Sequence, residues 1–220
     1  MSDLRLSVQD VIAQMEKGFR LLDLRKPDFF ALSHIPKSLN LVLDESFEKH
    51  AKKFIFKDIG LLIITENGEE EEAIYQLEKK GYQNVKGYLE GGIDAWIAAG
   101  QKIDVVISVL ADELAIELIH GGLYVYDIRL KSAFDQGHIE PSENIRADVL
   151  ISDYSAIDNR DFCAIVCEDG RLSMSLISYL KINGKHNLYH AEGGFAGIKK
   201  EGGLELVKTA NNSLNLTIRK

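Results

Sequence analysis

The chain has 220 residues, 45% of them hydrophobic and 27% charged, a composition that fits a folded globular protein and argues against wholesale disorder. Acidic residues outnumber basic ones by 34 to 26, for a net charge of −8; nucleic acid and anionic membrane are therefore not expected as partners, because phosphate contacts need clustered Lys and Arg. No apolar run reaches the roughly 18–20 residues of a membrane span, the charged start lacks a signal peptide's apolar core, and two Cys make no disulfide scaffold, so a reducing cytoplasm is the expected setting.

In chain order, residues 6–18 have helical spacing, with Ser7 as the N-cap. Residues 19–24 form a short apolar strand, and 61–65 a fully apolar one of the kind buried on both faces of a parallel sheet. A helix over 69–81 places Ala73, Ile74 and Leu77 on one face and stops at Gly81. A strand at 84–88 and a helix at 93–99 follow. The series then repeats: helix 111–121, strand 123–128, strand Phe162–Val166, helix 172–183, strand 187–190. The tail 204–220 reads as a strand or a loose end without a place.

The repetition holds at the level of residues. Leu21, Asp23 and Arg25 return as Val125, Asp127 and Arg129, at an offset of 104 (125 − 21). His34, Ile35, Ser38 and Asn40 return at the same offset as His138, Ile139, Ser142 and Asn144. Glu90, Gly91 and Gly92 return as Glu192, Gly193 and Gly194, at 102 (192 − 90). Two modules follow, one over 1–103 and one over 104–220, joined near 103–106. Strands alternating with helices imply an α/β class: in each module a mainly parallel sheet flanked by helices.

These landmarks resemble the rhodanese-like domains. The first copy carries Asp23, Arg25, His34, Ile35, Pro36, Asn40 and the run Leu89, Glu90, Gly91, Gly92 through Trp96; the second carries Asp127, Arg129, Gly137, His138, Ile139, Pro141, Asn144 and Glu192, Gly193, Gly194. The resemblance implies a sulfurtransferase fold, in which a Cys at the end of the central strand accepts a sulfane sulfur as a persulfide and passes it on. The matching positions are Thr65, which cannot carry sulfur, and Cys167. The implied arrangement is a noncatalytic first domain and a second whose nucleophile is Cys167, with Glu168, Asp169, Gly170, Arg171 and Leu172 as the substrate-binding loop. Expected partners are a small sulfane-sulfur donor, or a protein persulfide or thiol acceptor. No cofactor or metal is expected.

The residue chemistry supports part of that carry-over and strains against part. A thiol at the carboxyl edge of a parallel sheet, before a helix N-terminus, is where open α/β folds place their sites, and helix potential and loop amides lower a thiol pKa. Active small members resemble Cys-Arg-x-Gly-x-Arg or Cys-x-x-Gly-x-Ser/Thr, whereas Arg171 and Leu172 hold the last two places here. Glu168 and Asp169 would raise the thiol unless they point away, and would make thiosulfate a poor donor. Those departures, with Thr65, keep open a second reading: a catalytically inactive tandem scaffold for binding or regulation. Phosphatases and arsenate reductases of similar Cys-loop design need a longer loop ending in Arg.

The remaining residues read as structural. In an extended strand Cys163 and Cys167 would lie roughly 13 Å apart at Cα, beyond the ~7 Å reach of a disulfide, and Cys163 reads as a core thiol. Asp23 with Arg25 and Asp127 with Arg129 read as loop-anchoring ion pairs. His34 and His138 read as bonded to backbone, His186 and His190 as incidental, and Trp96 as core. The acidic stretch 66–72 suits a helix N-terminus, with a docking surface for a basic protein as the sharper alternative.

Overall fold

A computed structural model describes residues 4–157 and 162–209. The first sheet joins β1 (Arg5–Leu6), β2 (Arg20–Asp23), β3 (Leu39–Asn40), β4 (Leu61–Ile64) and β5 (Val85–Leu89) in the order β1-β5-β4-β2-β3, all parallel. Its helices are α1 (Val8–Glu16), α2 (Pro27–Leu32), α3 (Phe47–Ala51), α4 (Glu70–Lys79) and α5 (Gly92–Ala98). Ser7 caps α1 in a reciprocal capping box with Asp10, which fixes where that helix starts. All four residues of β4 are buried, as a strand covered on both faces requires.

The second sheet repeats the plan with β6 (Ile107–Val109), β7 (Leu123–Asp127), β9 (Glu143–Asn144), β10 (Phe162–Val166) and β11 (Leu188–Ala191), in the order β6-β11-β10-β7-β9, again parallel; β8 (His138–Ile139) stands outside it. The helices are α6 (Ala111–His120), α7 (Lys131–Gln136), α8 (Ala147–Ser152), α9 (Arg171–Ile182) and α10 (Gly194–Glu201). The mainly parallel α/β class read from the sequence is what the structure has. The tail is partly placed: β12 (Leu206–Val207) pairs antiparallel with β8, and residues 210–220 lie outside the described residues. No described helix is long and apolar enough to cross a membrane.

The repeated residues build one framework twice. Arg25 donates from Nε and Nη2 to Asp23 at 2.9 and 2.6 Å and reaches the Ser33 carbonyl; Arg129 does the same with Asp127 and Gly137. Asn40 Nδ2 donates to the carbonyls of Asp23 and Arg25, and Asn144 Nδ2 to those of Asp127 and Arg129. His34 and His138 bond through Nδ1 to the carbonyls of Phe30 and Phe134 and stack on those rings. Trp96 is buried in the first core.

The two sheets share a core. Phe30 and Ala31 of α2 pack with Ile165, Met174 and Ile177 of the second half. α9 lies between the halves: the Asn40 amide on edge strand β3 donates to Ser178 Oγ at 3.0 Å. The joint is pinned as well, since His34 and Asp104 exchange both backbone hydrogen bonds at 2.9 Å and Lys181 Nζ holds Asp104 at 3.0 Å.

Candidate active site

β10 is an apolar strand with parallel neighbours on both sides, β7 and β11. It delivers Cys167 to the carboxyl edge of the sheet, where the chain turns into α9. The turn needs a left-handed residue, and Gly170 supplies it at φ 85°. The loop's carbonyls face α10, where Cys167 O accepts from Phe195 N at 2.8 Å and Glu168 O from Ala196 N at 2.9 Å. A side chain at Gly194 would meet Cys167 O and Gly170 N at 2.6 Å. The second glycine of the Glu-Gly-Gly motif is thus the seat on which the thiol loop rests.

Cys167 is 3% exposed. Its Sγ accepts from Ser173 N at 3.3 Å and lies 3.3 Å from Ser173 Oγ, which donates to Gly170 O. Asp169 Oδ1 stands 4.0 Å from the sulfur. Burial pushes the thiol above its ordinary value; the Ser173 hydrogen bonds and the Asp169 amide pull it down, and the Asp169 charge adds to the burial.

The five loop residues named from sequence fall in different places. Glu168 points outward, its side chain 68% exposed and 3.9 Å from Arg129. Asp169 stays by the thiol but is claimed by Arg171, at 2.9 and 2.5 Å. Burial works to raise Asp169, and the Arg171 hydrogen bonds and charge outweigh it, holding the carboxyl below the usual range. Arg171 also pairs with Asp44 and, at 3.5 Å, with Glu45 of the first half. Three carboxylates therefore occupy the guanidinium expected to meet an anionic substrate. Leu172 lines the cavity.

Cys167 is among the residues lining that cavity, of about 470 Å³. Its second-half wall includes Ile128, Leu130, Ala147 and Leu172. The opposite wall comes from the first half: Ser46, Lys49 and His50 of α3 and its cap, with Lys53 just beyond. Sequence reasoning did not anticipate this wall, because α3 carries no motif. It also missed two residues beneath the loop. Ser173 is one. The other is His190, read as incidental, which is fully buried with Nδ1 3.4 Å from Ser173 Oγ and with Nε2 unpaired among the described residues. Burial drops His190 to about 4, so the ring is neutral at pH 7. Cys163 is buried mid-strand in the core, and both cysteines are free thiols.

The corresponding place in the first half holds Thr65, 6% exposed, with Oγ1 unpaired among the described residues. There the loop amide of Gly68 donates to the chain's own Glu70 carboxylate at 2.9 Å. Among the described residues no three His, Cys, Asp or Glu side chains gather as a metal site would.

Two parallel α/β domains with matching loop frameworks, one loop closing on a thiol and the other on a threonine, define a duplicated α/β protein with one Cys-bearing loop. Residues 7–99 and 110–201 each match the rhodanese-like domain, and the chain belongs to that family, with two such domains in tandem. Thiosulfate sulfurtransferase GlpE from Pseudomonas paraeruginosa is 31% identical over 86 residues, 39% of this chain and 78% of that protein. The GlpE of Pseudomonas aeruginosa is 33% identical over 86 residues, with the same coverage. A solved thiosulfate sulfurtransferase from Pseudomonas aeruginosa is 21% identical at a TM-score of 0.42; the match covers 94% of this chain and 44% of that protein.

Proposed function

We propose that the protein moves sulfane sulfur through a persulfide on Cys167, and that the first domain, ending at about residue 103, takes no part in the chemistry. The observation that carries this reading is a cysteine in the lining of a cavity, its sulfur receiving the Ser173 amide at 3.3 Å at the start of α9. That donor and the helix N-terminus favour a sulfur anion there. In the first step the Cys167 thiolate attacks the outer sulfur of a donor persulfide; the new S–S bond forms as the donor's breaks, and the electron pair leaves on the donor thiolate. In the second step an acceptor thiolate attacks the outer sulfur and Cys167 is released as thiolate. No external oxidant or reductant enters. A reducing compartment would keep both thiols free for it. The curated relatives' name, thiosulfate sulfurtransferase, supports the class of reaction.

The test is intact-protein mass spectrometry after incubation with thiosulfate and, separately, with a low-molecular-weight persulfide. The expected result is a gain of one sulfur atom that cyanide or a thiol removes, present in Cys163→Ser and absent in Cys167→Ser. No adduct from either donor, or an adduct that follows Cys163, overturns it. One observation favours a noncatalytic scaffold instead: burial and Asp169 both hold Cys167 as a thiol. That reading expects slow alkylation near neutral pH and no adduct.

A further inference from the structure

A second cavity, of about 690 Å³, lies at the amino edge of the first sheet, where α1 turns through Gly18 into β2. Ile12, Met15, Phe19, Pro36 and Trp96 line it, and Ile182, the last residue of α9, belongs to the same lining. It shares no lining residue with the Cys167 cavity, and the thiol loop stands at the other end of α9, about 16 Å of helix away. The charge of the lining is one-sided: Arg20, Lys37 and Lys102 bring three cations and Glu16 one carboxylate. None of the three cations has a carboxylate within ion-pair distance among the described residues. Lys37 is also the one non-glycine residue at positive φ among them, at 69°, a conformation that glycine takes freely and a side chain takes at a cost. The turn holds it there, with Ser38 N and Ser38 Oγ both donating to Ile35 O, at 3.0 and 2.6 Å. A strained position that keeps a lysine where glycine would rest points to use of that side chain.

We propose that this cavity binds an amphipathic organic carboxylate, its apolar body against Met15, Phe19 and Trp96 and its anionic end paired with Lys37 and Lys102, as a ligand site independent of the Cys167 chemistry. An inorganic anion would leave the apolar walls wet, and an organic cation would meet three positive charges. A molecule with an apolar body and one carboxylate satisfies both walls and rim, and the volume is of a size that holds organic ligands. Trp96 is the chain's single tryptophan, and its Nε1 donates to Lys102 O at 2.8 Å, so tryptophan emission reports on this cavity alone.

The test titrates octanoate, octylammonium, 1-octanol and acetate into the full chain, following Trp96 emission with calorimetry alongside. Octanoate should bind saturably and at least tenfold more tightly than octylammonium or 1-octanol, and acetate, which lacks the apolar body, should not bind. Lys37→Gly combined with Lys102→Gln should weaken octanoate about tenfold and leave 1-octanol unchanged. Glycine adopts the Lys37 backbone without strain, and an unchanged circular dichroism spectrum separates lost binding from a lost fold. Cys167→Ser should bind octanoate as the wild type does, whatever the outcome of the sulfur-transfer experiment. Equal affinity for octanoate and octylammonium, an unchanged octanoate affinity in the double variant, or no octanoate binding by either method each overturn the proposal.

Discussion

Ser173 does for Cys167 what no described residue of the first domain does for Thr65: it offers the buried atom both a backbone donor and a hydroxyl. A hydrogen bond to a charged group is worth about 1.5–3 kcal/mol, and 1.36 kcal/mol corresponds to one pKa unit. Ser173→Ala should therefore raise the thiol further and slow iodoacetamide alkylation near pH 8, as a rate-versus-pH series would show. His190 stands behind Ser173 as a neutral ring at about 4, and His34 is likewise pushed by burial to about 4. Both folded values lie below the ordinary histidine value of about 6.5. As pH falls below 6.5 the unfolded chain takes up protons that the folded chain refuses, so stability drops until pH approaches 4. The loss is on the order of 3 kcal/mol per histidine. Urea denaturation at pH 7.5 and 4.5 should show it, with a smaller difference in His190→Gln. Cys167 could be read from the sequence because it ends an apolar strand before a glycine loop. Ser173 and His190 could not, since a serine early in a helix and a histidine late in a strand have no pattern until the loop folds over them.

Among the elements, α9 carries the most consequence. It starts at the thiol loop and passes between the two sheets, burying Ser173, Ser175 and Ser178 beside Met174, Ile177 and Leu180. Small polar residues let β3 approach, and Ser178 accepts the Asn40 amide, which would otherwise be a buried orphan. Ser178→Leu should overpack the interface and leave that amide unsatisfied, costing about 2–4 kcal/mol; a drop in thermal midpoint with unchanged secondary structure by circular dichroism would show it. Gly194→Ala should also destabilise, because the new methyl meets the thiol loop's backbone, and it should disturb Cys167 reactivity as Gly91→Ala does not. The longer helices and apolar strands of both copies were legible as periodic runs. Two-residue strands such as β3 and β12, and five- or six-residue helices such as α3 and α8, were not, because they are shorter than the periods that would reveal them. That is why the sequence pointed to the thiol loop but not to the wall opposite it.

At the scale of the molecule, one hydrophobic cluster draws on both domains, with Phe30 and Ala31 among the second domain's residues and Phe54 packed against Tyr179. Scanning calorimetry should therefore give one cooperative transition in place of two, and Phe30→Ala should lower it by about 3–5 kcal/mol in stability. Asp104 sets the geometry further: its backbone is paired to His34 and its carboxylate held by Lys181, so the joint is pinned on both backbone and side chain. The cavity's first-domain wall, Ser46, Lys49 and His50, and the second domain's thiol are thereby carried on one packed body.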